Sequence, residues 1–192
     1  VHKSKRRMIF NLNNISTLEF LRLDEAAALP YWQLQSILKP HPTFGKFKAA
    51  RLGELQFGQV STLKQHLQKP DFDGLLEMFT LVFGVKRLQF LNAPVTDFLI
   101  ALGWLRKSVS ELIQKEYNAL KSETDPDMQA AGVERLSIFQ EMNATIAIGK
   151  EFGKSPEEIE TWKYNLVFTL ILHNKITGEV QKNYSEIKSK PK

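Results

Sequence analysis

The chain has 192 residues, 43% of them hydrophobic and 24% charged, close to a globular average, and thirteen Phe with three Trp argue against wholesale disorder. It has no Cys, which excludes disulfides, thiolate metal sites and a Cys nucleophile. The net charge of +5 belongs to the ends: Lys3, Lys5, Arg6 and Arg7 open the chain, Lys188, Lys190 and Lys192 close it, and the body between them is slightly acidic, which argues against a basic nucleic-acid-binding face.

The first seven residues are followed by no apolar run of signal-peptide type. Because the chain opens on Val1 and not Met, residues upstream are expected. Met8, Ile9, Phe10 and Leu12 lie in a short segment that suits a strand over 8–12. Residues 16–29 read as a helix, with Leu18, Leu21, Ala26 and Leu29 on one stripe and a break acceptable at Asp24 and Glu25. Pro30 suits the opening of a further helix over 31–38, which Pro40 and Pro42 end. Residues 43–58 contain Gly45, Gly53 and Gly58, with alternation at Leu52, Leu55 and Phe57, and read as a loop, short strand or hairpin near 46–60.

Ser61 is placed to cap a short helix that stops before Pro70. Asp71 or Asp73 caps the next helix, 75–83, which Gly84 closes. That helix is apolar nearly all round and is therefore expected to be buried or at an interface. The strongest helical signal is 94–121, with Val95, Phe98, Leu102, Leu105, Val109 and Leu112 on one stripe and Ile100 with Trp104 on a second face. At 1.5 Å per residue it spans about 42 Å.

A helix restarts at Thr124, Asp125 and Pro126 and runs to about Glu151, with Val133, Leu136, Phe139, Met142 and Ile146 as its stripe. Ser155, Pro156 and Glu158 form a strong start signal, with N-cap, Pro at the first position and a reaching carboxylate. The helix after it carries Ile159, Trp162, Leu166, Val167 and Leu170; residues 167–172 also suit a strand, and Gly178 is expected to break the pattern. The fold class expected is all-α: a helical bundle with one long central helix. Residues 1–15 form a basic arm, 16–178 a single helical domain and 179–192 a polar tail. No apolar run approaches the roughly 20 residues that span a bilayer, so no membrane contact is expected.

Motifs of chemistry are weak. No two of His2, His41, His66 and His173 lie three or four apart, so metal-ligand spacing is missing. Gly53 and Gly58 have the spacing of a phosphate loop, but Gln59 and Val60 stand where a Lys and a hydroxyl are needed. There is no Gly-x-Ser-x-Gly elbow. Glu157, Glu158 and Glu160 crowd a helix start, where the dipole explains them. The expectation is of a chain that is not an enzyme, with no cofactor, no metal and no catalytic residue. A single domain cannot easily bury every apolar face described above, so partner contacts are expected at Phe79, Phe83, Ile100 and Trp104, with the arm Lys3, Lys5, Arg6 and Arg7 on an acidic neighbour.

Two segments carry a resemblance. The first is Leu-x-x-Leu-Gln-Phe-Gly-Gln, from Leu52 to Gln59. The second is Gly-x-Ser-Pro-Glu-Glu-Ile, from Gly153 to Ile159, followed by Trp162-x-Tyr164 and an apolar helix. Their order resembles the small helical tail-assembly chaperone-like and connector-type proteins of tailed bacteriophages, over residues 50–175. The resemblance implies a structural or assembly subunit in the virion or host cytoplasm. Its partners would be other protein subunits, copies of itself included. The alternative expectation is a nucleic-acid-binding accessory protein using the basic ends.

Overall fold

The computed structural model describes residues 15–121, 129–139 and 141–189. Among them the protein is all-α apart from one two-stranded hairpin, as expected. The helices are α1 (Thr17–Leu21), α2 (Glu25–Gln35), α3 (Phe57–Gln68), α4 (Phe72–Phe83), α5 (Arg87–Leu91), α6 (Val95–Leu120), α7 (Met142–Phe152), α8 (Pro156–Glu160) and α9 (Tyr164–Ser189). The strands are β1 (Thr43–Phe44) and β2 (Phe47–Lys48), antiparallel, with Gly45 at φ 55° in the turn. The expected strand over 8–12 and the basic arm lie outside the described residues.

Contacts cluster in two compact units within the span read as a single domain. The first holds the chain up to Arg51 together with Thr62–Glu111. Its core is a cluster of phenylalanines. The ring of Phe79 meets Phe44 and Phe90 at 5.0 Å, Phe83 at 5.3 Å and Phe98 at 5.4 Å. These residues come from β1, α4, α5 and α6, and all five are buried. Aromatic pairs at such spacings add to what burial alone contributes. The start of the unit is fastened by backbone bonds: Thr17 N donates to Ala93 O at 2.8 Å and Val95 N to Ile15 O at 3.0 Å.

The second unit holds Leu52–Ser61 and the chain from Leu112 onward. Its core is Phe57, Val60, Ile148, Ile159, Tyr164, Val167 and Phe168. Two backbone bonds sew the short stretch before α3 to the start of α9: Phe57 N donates to Trp162 O and Tyr164 N to Leu55 O, both at 2.8 Å. Lys175 donates to the carbonyls of Ala119 (3.0 Å) and Lys121 (2.8 Å), placing a cation on the free carbonyls where α6 ends.

Several boundaries differ from the sequence reading. Helix α2 starts on Asp24, whose carboxylate accepts from Ala27 N, and continues through Pro30 rather than restarting there. Residues 46–60 hold only β2 as strand; Leu52–Glu54 is a 3₁₀ turn and Phe57 begins a helix. Ser61 is not a cap but lies inside α3, its hydroxyl oxygen 3.2 Å from the Phe57 carbonyl one turn back. Of the two candidates, Asp71 caps α4. The helix expected up to Glu151 is split: Val133–Phe139 is a 3₁₀ segment after Gly132 at φ 80°, and α-helix resumes only at Met142. The capping box at Ser155 opens a five-residue helix that ends at Thr161, so that Lys163 can pair with Gln56. Residues 167–172 are helix, and Gly178 breaks nothing: α9 runs on through the stretch read as a polar tail.

Candidate functional site

The four residues expected at a contact surface do not share one. Phe79 is fully buried and Phe83 nearly so, in the aromatic core of the first unit. Helix α4 buries Leu75, Met78, Phe79, Val82 and Phe83 and leaves Asp73, Glu77 and Thr80 exposed. Ile100 and Trp104 remain half-buried on α6, and the Trp104 ring meets the edge of Phe83 at 6.0 Å. The expected interface is therefore corrected: two of its members are core, and the other two are partly covered. Lys3, Lys5, Arg6 and Arg7 lie outside the described residues. Trp32 is partly exposed, packed on Phe20 at 5.1 Å, with the Arg106 guanidinium 5.7 Å above its ring. Burial pulls the Arg106 pKa down.

Among the described residues, one aligned stripe of exposed apolar side chains lies in the second unit, on α9. Leu166 and Ile176 are 50% exposed, Val180 60%, Tyr184 64% and Ile187 71%. At 100° per residue these side chains fall within one arc of about 80°. Every residue from 176 to 189 is exposed. Sequence reasoning missed this face because Gly178 and the surrounding Lys, Glu, Gln and Asn read as a polar tail. The signal that could have found it is the spacing of Ile176, Val180, Tyr184 and Ile187. A second apolar hollow, of about 660 Å³, is lined by Val133, Leu136, Ile138 and Phe139 among others.

A smaller cavity of about 230 Å³ lies in the same unit, walled by Phe57, Leu120, Phe168 and Ile171 and edged by Glu116 and Glu141. The Tyr164 hydroxyl donates to Glu116 at 2.6 Å, and the Ser61 hydroxyl donates to Glu141. Burial first, then the bond to Glu116 and the negative charges of Glu116 and Glu141, push the Tyr164 pKa well above the usual phenol range. The phenol is thus held as a neutral donor. The arrangement joins α3, α6, α7 and α9 through two carboxylate–hydroxyl pairs.

Glu157, Glu158 and Glu160 behave as a helix start. Glu158 accepts from Ser155 N at 3.0 Å while its own N–H donates to the Ser155 hydroxyl at 3.3 Å. The backbone bond to Ser155 holds Glu158 below the ordinary carboxylate value. His173 sits in the middle of α9. No group of three or more His, Asp or Glu with metal-binding geometry occurs among the described residues. None of their helices is long and apolar enough to cross a membrane.

The chain matches no protein-family model, no curated protein and no solved structure.

Proposed function

We propose that the chain is a non-catalytic structural or assembly subunit that acts through protein–protein contacts, and that its assembly is a bacteriophage particle. The observation that carries the first part is the open stripe on α9. Single exposed apolar residues are ordinary, but an aligned set on one face of an exposed helix end is the pattern of an interaction site. The apolar hollow around Leu136 and Ile138 adds a second surface of the same character. The phage assignment is supported by the resemblance of the segments Leu52 to Gln59 and Gly153 to Tyr164 to tail-assembly and connector-type proteins. The site of action is then the virion or the host cytoplasm, and the partners are other subunits. Quantitative mass spectrometry of purified particles and assembly intermediates tests this. A fixed copy number is expected, and absence from both sinks the reading.

The second reading, nucleic-acid binding through Lys3, Lys5, Arg6 and Arg7, rests on the concentration of charge at the ends. Filter binding at two salt concentrations separates the two. A nucleic-acid binder loses orders of magnitude in affinity as salt rises, because phosphate contacts release counterions. An assembly subunit shows weak binding that vanishes when residues 1–7 are removed.

A further inference from the structure

We infer that the hairpin of the first unit, with the chain on either side of it, is a contact surface for the phosphate backbone of nucleic acid. This surface involves neither the stripe on α9 nor the arm at residues 1–7. The body of the chain sums to a slight negative charge, but a sum does not say where the charges sit. From Ala26 to Arg51 there is no Asp or Glu, while Lys39, Lys46, Lys48 and Arg51 crowd the second half of that stretch. All four residues are exposed. Among the described residues none of the four forms an ion pair.

The fold holds these cations on a fixed scaffold. Opposed residues of a hairpin share a face, and successive residues alternate between faces. The pair Phe44 and Phe47 therefore stands on one face, and Thr43 with Lys48 on the other. Phe44 is buried against Phe79 and Phe83, which sends Lys48 outward. Lys46 follows Gly45 in the turn, its ammonium 5.6 Å from the centre of the Phe47 ring. Ala49 N donates to Pro42 O at 3.0 Å and Ala50 N to Val82 O at 2.8 Å. The chain leading to Arg51 is thus tied both to the hairpin and to α4. Beside Lys39, Pro40 packs over Gly103 of α6, 3.6 Å from where a Cβ would stand. One carboxylate borders the turn: Asp97 Oδ2 lies 3.4 Å from the place of a Cβ on Gly45. A single partly buried carboxylate leaves the four cations in excess.

Composition decides the kind of partner. The centre of a protein–protein interface is apolar and aromatic, and Lys is depleted there. None of the exposed residues from Lys39 to Arg51 is a large apolar side chain. A phosphate backbone asks for cations that displace its condensed counterions, and most protein–DNA hydrogen bonds go to phosphate and sugar. A cationic surface with no exposed apolar centre fits that chemistry better than it fits a contact between subunits.

The test uses the full chain and a short fluorescein-labelled duplex DNA, with binding read by anisotropy between roughly 50 and 200 mM salt. Each phosphate contact removed lowers the slope of log affinity against log salt by about 1. The triple variant Lys46→Gln, Lys48→Gln, Arg51→Gln is expected to lose about 3 from that slope and to bind at least about tenfold more weakly at the lower salt. The arm is present in both proteins and cancels in the comparison. The variant Lys46→Arg, Lys48→Arg keeps the charge and is expected to keep the slope. These positions are exposed, so near-ultraviolet circular dichroism stays unchanged in both variants. Absence of binding by the wild-type chain at the lower salt overturns the inference. So does a triple variant with the wild-type slope, which assigns the binding to another part of the chain. Loss of slope in the Arg variant overturns it too, because charge is then not the cause. Equal displacement of the duplex by poly-L-glutamate at matched charge assigns the surface to an acidic protein and overturns the nucleic-acid partner.

Discussion

Tyr164, at the start of α9, donates its hydroxyl hydrogen to Glu116 of α6 at 2.6 Å, across 48 positions of sequence. Replacing it by Phe leaves a partly buried carboxylate short of a donor, which costs about 2 kcal/mol of stability by denaturant unfolding. The pH dependence has a definite sign. The folded protein holds the phenol proton more tightly than the unfolded chain, so this contribution is complete below the ordinary phenol pKa of about 10 and is lost as pH rises toward the folded value. The stability gap between wild type and Tyr164→Phe should narrow between about pH 9 and pH 11. A constant gap contradicts the assignment.

Glu158 has the opposite sign. Its folded pKa lies below the ordinary carboxylate value, first because of the backbone bond from Ser155 and then through Lys154. Its contribution is present above that ordinary value and is lost as pH falls through the folded one. Gln at this position keeps the reciprocal cap but cannot titrate. Glu158→Gln is therefore expected to lessen the acid-side loss in thermal melts while leaving the neutral melt nearly unchanged. Ser155→Ala, which removes the other half of the cap, costs about 1 kcal/mol at neutral pH.

Two glycines within helices should respond in opposite directions to Ala. At Gly149 in α7 an added Cβ stands 2.5 Å from the Lys154 carbonyl oxygen, a backbone atom that cannot swing aside. Gly149→Ala is expected to cost on the order of 2 kcal/mol. At Gly178 in α9 an added Cβ meets nothing within 4 Å. There the substitution is expected to stabilise the helix by up to about 1 kcal/mol, through propensity alone. Paired denaturant curves check both signs.

In the first unit the aromatic cluster ranks two further variants. Phe79 is fully buried against four other rings, and Phe79→Ala is expected to cost about 4 kcal/mol. Trp104 is half-buried with Phe83 as its ring contact, so Trp104→Ala should cost less, roughly 2 kcal/mol. Equal losses at the two positions would contradict this ranking.

The all-α class and the long helix α6 were legible in the residues themselves, because apolar spacing and Pro94 act within one or two turns. The same holds for the cap at Asp71 and for the reciprocal box of Ser155 with Glu158, both of which are local hydrogen-bond signals. What only the tertiary structure decided depends on distant pairs. Phe79 and Phe83 read as surface candidates because sequence shows how apolar a helix is but not how many elements enclose it; β1, α5 and α6 close over them. The stop before Lys163 follows from pairing with Gln56, more than 100 positions away. The stripe on α9 was legible as spacing and was lost to the polar residues around it. That its side chains are exposed depends on how distant elements pack, which no local pattern records.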